Sequence, residues 1–209
     1  SFPTTRFFLP VPEAPMRVSP LLLLPLLVLP VAAQSPTTEP VATQIAKAVL
    51  PLPAEFRADA SVMGYNEAGA LVMLRKGTGG MLCLADDPKQ EDFHAACYQK
   101  ELEPFMARGR ALRARGVKGG DVDSTRFKEV KSGKLKMPKV GALWQLFGPH
   151  SGVDGAAGTV SKEVRSLYVI YMPYATPAST GIPSKGAPGM PWLMFPGTPK
   201  AHVMLTPTM

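Results

Sequence analysis

Cysteine is scarce: Cys83 and Cys97 are the only two in 209 residues. No C-x2-C pair is present, so the cysteine-paired zinc and redox signatures are missing. No G-x-S-x-G elbow occurs, and no G-x-G-x-x-G precedes a helical stretch. GTGG (77–80) lacks the Lys-Ser/Thr that completes a phosphate-binding loop. These absences remove the usual sequence handles for a serine hydrolase or a nucleotide enzyme, and nothing calls for a cofactor. Internal repeats and heptads are absent too. The longest apolar run, Leu21 to Val31, is interrupted by Pro25 and Pro30. A membrane-spanning helix needs about 20 apolar residues, and proline breaks its hydrogen bonding.

What is there begins with that apolar run. The chain opens SFPTTRFFLPVPEAP, and its first methionine is Met16. Arg17 supplies a positive n-region, Leu21 to Val31 an h-region, and Val31-Ala32-Ala33 small residues before Gln34. This is the layout of a secretory signal peptide over residues 16–33. Residues 1–15 read as sequence upstream of the start. The expected mature chain is 34–209, secreted or periplasmic, with no transmembrane anchor.

Export places the two cysteines where disulfides persist. Cys83 and Cys97 enclose thirteen residues, which include Asp86, Asp87 and His94. A strand-to-helix staple is favoured on spacing and compartment. Two free buried thiols, or a metal or redox site, are the alternatives.

The net charge is +7. Much of it sits in ARGRALRARGVKGG (107–120) and RFKEVKSGKLKMPK (126–139). The plain reading is a solvated helix face and a basic loop. The functional one is a patch for an acidic surface polymer. Aromatic interleaving of the kind that stacks bases is missing, and with export this argues against nucleic acid.

Residues 34–55 read as a flexible, Pro-rich leader with at most a turn of helix at Ala42 to Leu50, and order is expected from Phe56. Three apolar runs, 60–65, 70–76 and 81–85, separated by Gly-containing loops, read as a β-meander. Glu91 to Arg115 reads as helical. Phe93, Ala96 and Cys97 share one face, and Pro104 either starts a second helix or kinks the first. A short helix is expected over Ser124 to Lys131, capped by Asp123 or Ser124. Ala142 to Phe147 and Val164 to Met172 have strand composition. The segments 148–159 and 175–191 read as loops. Trp192 to Phe195 and Ala201 to Leu205 form a closing hairpin. Residues 56–209 are therefore expected to be a single α+β domain, its mainly antiparallel sheet packed on a central helical segment.

Alternation puts His202 and Met204 on one strand face. An imidazole with a thioether suits Cu(I), which makes the pair a weak metal candidate. The ordinary reading of His202 is a partly buried strand residue bonded to backbone. His150, in FGPHSGVDG with Ser151 and Asp154, invites a hydrolase reading, though a triad needs groups converging from separate elements. Tyr168, Tyr171, Tyr174, Trp192 and Phe195 concentrate aromatic surface in the last third. Core packing is the default for them, and a stacking surface for sugar or peptide the alternative.

LRKGTGGMLCLADDP (74–88), ACYQKELEPFMARGRAL (96–112), YVIYMPYATPASTG (168–181) and PWLMFPGTPKAHVML (191–205) resemble a group of exported bacterial proteins. That group looks like small domains with an LR-x-G-T-x-G hairpin followed by a Cys, a second Cys entering a helix, and a C-terminal PGTP-x-AH-x-M hairpin. The resemblance spans most of 60–205. It implies export and one common domain but assigns no activity, so Cys83, Cys97 and His202 carry over only as recurrent features.

The resulting expectation is a non-catalytic domain that binds a small molecule or acidic polymer through a surface running through His150, Tyr174, Trp192 and His202. One rival is a secreted hydrolase using His150 or His202 with a carboxylate such as Asp86 or Asp154. The other is a copper binder using His202 and Met204.

Overall fold

A computed structural model describes residues 38–187 and 189–207. The expected signal peptide, residues 1–15 and the first residues of the leader lie outside them.

The described part of the leader is packed, which corrects the expectation that order starts at Phe56. Helix α1, Val41–Ala48, follows Pro40 at its N-cap, and a single turn, α2, spans Ala54–Arg57. Ala48 and Leu52 are buried. Gln44 is buried as well, and its amide replaces a neighbouring strand. It donates to the carbonyls of Glu39 (2.7 Å) and Tyr65 (2.9 Å) and accepts from the Tyr65 N–H (2.8 Å). Satisfying every arm of a buried amide avoids a desolvation cost, and a polar, Pro-rich composition hides such a role.

Strands β1 (Ser61–Tyr65), β2 (Leu71–Arg75) and β3 (Met81–Leu84) form where the apolar runs lie, but they are not a meander. The sheet order begins β2-β1-β3, with β1 antiparallel to β2 and parallel to β3. The segment Lys76–Gly80 therefore crosses back over the sheet end instead of making a tight hairpin. It does so against the backbone of Asp59 and Ala60: the Gly79 N–H donates to the Asp59 carbonyl at 2.8 Å. A Cβ on Gly77 would stand 2.1 Å from that same oxygen.

The next element also differs from expectation. Phe93–Gln99 is strand β4, not helix. Phe93, Ala95 and Cys97 are buried while His94 between the first two is exposed, the period of two that marks a strand. Spacing of Phe93, Ala96 and Cys97 fits a helix equally well, and pairing to β3 on one side and β5 (Gly141–Gly148) on the other decides it. After a 3-10 turn (Lys100–Leu102), helix α3 runs over Glu103–Ala114 with Pro104 in its first turn, as the proline predicts. Helix α4, Gly120–Lys131, starts four residues earlier than Ser124, after Gly119 with φ +55°. The 148–159 connector holds a small hairpin, β6 (Val153–Asp154) with β7 (Thr159–Val160). Strand β8 is Arg165–Tyr171, α5 a single turn at Pro177–Thr180, β9 Trp192–Met194 and β10 His202–Leu205.

The eight-stranded sheet has the order β2-β1-β3-β4-β5-β8-β10-β9 and is antiparallel except for β1–β3. The α+β class with a mainly antiparallel sheet therefore holds. Directly paired residues share a face. Val62, Cys83, Cys97 and Trp144 make one such row, clustered with Ala48 and Leu52 from the leader. Leu82, Tyr98, Leu143, Val169 and Met204 make a row on the other face, clustered with Leu102 and Met106. Among the described residues no helix is long and apolar enough to cross a membrane.

The two cysteines are bridged, and the bridge joins two strands rather than a strand and a helix. Cys83 and Cys97 are direct cross-strand partners, 3.9 Å apart at Cα, and neither is exposed. The misassigned helix is the reason for the difference.

Candidate functional site

The C-terminal end gathers most of the singled-out residues. His202 opens β10 opposite Tyr171 of β8 and Met194 of β9. Its ring is buried, 6% exposed, between Tyr171 (centroids 5.1 Å apart) and Phe195 (5.7 Å). Nδ1 donates to the Lys200 carbonyl at 2.7 Å. Burial pulls its pKa below the ordinary histidine value, partly opposed by that bond, and the nearby Lys200 charge acts in the same direction as burial. His202 is thus a neutral, backbone-bonded strand residue.

A charged chain ties this hairpin to α4. Lys200 Nζ donates to Asp123 Oδ2 at 2.8 Å and stands 4.3 Å from the Phe195 ring centroid. Asp123 also accepts from Arg126. Partial burial pushes the Asp123 carboxyl up, but the hydrogen bonds from Lys200 and Arg126 win and hold it below its ordinary value. Arg126 is 3% exposed. Its guanidinium lies 3.9 Å from the Phe105 ring centroid and donates to the Phe105 carbonyl at 3.2 Å. It fits because position 109 is glycine: a Cβ there would come within 2.9 Å of Nη1. Sequence reasoning missed Arg126, Asp123 and Lys200. Arg126 stands in a run of lysines that all look solvated, and nothing in the pattern distinguishes it as the cation buried among the described residues.

Two aromatic residues here have left-handed backbones, Tyr174 (φ +64°) and Phe195 (φ +52°). Bulky residues rarely adopt that region, and such positions persist where surrounding bonds over-determine them. The bonds are present: the Tyr174 N–H donates to the Thr198 carbonyl and the Gly197 N–H to the Ala175 carbonyl, each at 2.8 Å. They lock the 173–175 segment to the turn after Phe195. Tyr174 consequently stays 47% exposed. It forms part of an open cavity of about 570 Å³ with Pro173 and the basic loop after α4. Leu135, Met137 and Pro138 supply apolar wall, and Lys136 and Lys139 supply charge.

The other candidates lie apart from this cavity. Trp192 pairs with Met204 and is half-buried, its indole against Gly186. Met204 shares the His202 face, packed against the Tyr98–Leu143 cluster. His150 is at the other end of the sheet, which breaks up the expected single surface. Gly141 pairs with Tyr171 beside His202, whereas His150 follows Gly148. Seven residues of strand amount to about 24 Å. There His150 Nδ1 is 3.5 Å from Asp86 Oδ2, and its ring meets Phe93 edge-on with centroids 6.3 Å apart. Burial raises the Asp86 pKa, against the lowering effects of the His94 N–H bond and the His150 charge. Asp154 is engaged elsewhere, accepting from the Ala156 and Ala157 N–H groups at 2.9 Å. No group of three or more His, Cys, Asp or Glu among the described residues is arranged to hold a metal ion.

No family model, curated protein or solved structure matches the chain.

Proposed function

We propose that the protein is an exported, non-catalytic binding domain whose cavity between the basic loop after α4 and Tyr174 takes an acidic polysaccharide. The observation that carries this reading is Tyr174, held exposed by a left-handed backbone on the wall of a cavity rimmed by Lys136 and Lys139. Sugar rings present apolar faces to an aromatic ring with one wet edge, and uronate or sulfate groups pair with lysine. Further lysines nearby, Lys128, Lys131 and Lys134, extend the positive field that draws a polyanion in. The signal-peptide layout and the resemblance to exported bacterial proteins supply the compartment.

Calorimetric titration with polygalacturonate, and with neutral dextran as control, tests the proposal. Binding of the acidic polymer alone is expected, weakening as salt rises. The double substitution Lys136→Glu/Lys139→Glu should reduce affinity about tenfold or more, and Tyr174→Ala by a similar factor, with thermal stability retained. Equal binding of dextran, or none of polygalacturonate at low salt, overturns it.

A second reading, a hydrolase using His150, draws on the 3.5 Å approach of its Nδ1 to Asp86 Oδ2. His150→Ala should abolish any hydrolytic activity found on such polymers if that reading holds.

A further inference from the structure

A second cavity lies on the α3 face of the sheet and shares no lining residue with the one beside Tyr174. Its volume is about 120 Å³. At ~30 Å³ per water in the liquid, that is the space of about four waters, far below the ~300 Å³ of a drug-sized pocket. The occupant it fits has five or six heavy atoms, as an order-of-magnitude estimate.

The walls define its chemistry. Leu84 and Ala96 supply apolar surface, and Tyr65, Asp87, His94 and Arg110 supply polar groups. Arg110 reaches the cavity from α3 and is preorganised: Nη1 donates to the Tyr98 hydroxyl at 2.9 Å and Nη2 to Glu103 Oε1 at 2.6 Å. Tyr98 is itself 1% exposed and bonded to Glu103, so the guanidinium is anchored to the core. Those bonds use two of its five N–H groups. Asp87 is held by its own turn, with Oδ1 accepting from the Lys89 N–H at 3.0 Å. The Tyr65 phenol lines the same cavity and is hydrogen-bonded to the Asp87 carboxylate. Burial and then the Asp87 carboxylate push its pKa up to about 12, and Arg110 pulls the other way. His94 is fixed by a 2.8 Å bond between Nε2 and Gln145 Oε1.

One cation and one anion on the wall of so small a space select against singly charged ligands. A free carboxylate would meet Asp87 as well as Arg110, and a free amine would meet Arg110 as well as Asp87. A molecule carrying both charges a few ångströms apart satisfies each wall at once. We propose that this cavity binds a small zwitterionic amino acid, with its carboxylate on Arg110 and its ammonium on Asp87. The site is independent of the polysaccharide reading.

Titration of the full chain with glycine and L-alanine tests it, with glycinamide and propionate as probes of glycine's size that each keep one charge. Saturable one-to-one binding of glycine or alanine is expected, with neither single-charge probe competing. Asp87→Asn and Arg110→Gln should each weaken it about tenfold or more, the loss of one charge-assisted bond. If Arg110→Gln misfolds through the lost Tyr98–Glu103 anchor, Asp87→Asn decides alone. Absence of saturable binding, binding of glycinamide or propionate equal to that of glycine, or an unchanged affinity in Asp87→Asn overturns the proposal.

Discussion

His202 shows how one side chain sets a pH dependence. Its pKa is lowered by burial between Tyr171 and Phe195. Above pH 6.5, the ordinary histidine value, folded and unfolded chains both hold the ring neutral. Below it the unfolded chain takes up a proton that the folded ring resists, so stability falls from there down to the folded pKa. Asp123 has the acidic counterpart. Its depressed pKa contributes stability that is present above 3.8 and lost as pH drops through the folded value. Melting temperatures measured from pH 8 downward should therefore decline in two separate windows. His202→Gln should flatten the upper decline and leave the lower one. Loss of both, or of neither, would show that the ring is not what titrates. The residue's place on a strand was legible from KAHVML. Its neutrality was not, because Phe195 and Tyr171 reach it from different elements.

At the scale of elements, the glycines of GTGG are unequal. Gly77 and Gly79 pack against Asp59, where Cβ atoms would lie 2.1 Å and 3.0 Å from its carbonyl oxygen, whereas a Cβ on Gly80 would meet nothing within 4 Å. Gly77→Ala is expected to cost roughly 3 kcal/mol, since backbone cannot yield as a flexible side chain does. Gly80→Ala should stay within about 0.5 kcal/mol of the parent. Urea unfolding of the two variants separates a crossing loop from a tight hairpin, in which the demand would be for turn conformation. The motif itself was visible in the sequence. That it carries the chain over to a parallel partner was not, because the β1–β3 pairing is nonlocal.

For the whole molecule, the Cys83–Cys97 bridge joins neighbouring strands near the middle of the sheet, with a sequence separation of 14. Cross-linking a loop of that length contributes about 3 kcal/mol in the chain-entropy model. Replacing both cysteines by alanine should lower the melting temperature by roughly 6–12 °C for a chain of this size, with strand content by circular dichroism unchanged. A drop of less than a degree would mean that sheet pairing already supplies the constraint. By itself the sequence determined the α+β class, the strands within residues 60–85 and 192–205 and a helix with Pro104 near its start, and it favoured a bridge between the two cysteines. These rest on composition, local periodicity and proline, which act within a few residues. Only the tertiary structure decided that Phe93–Gln99 is a strand, that the leader docks through Gln44, and that His150 stands apart from His202. Each depends on partners brought from distant parts of the chain, and a local pattern compatible with two states cannot choose between them until those partners are in place.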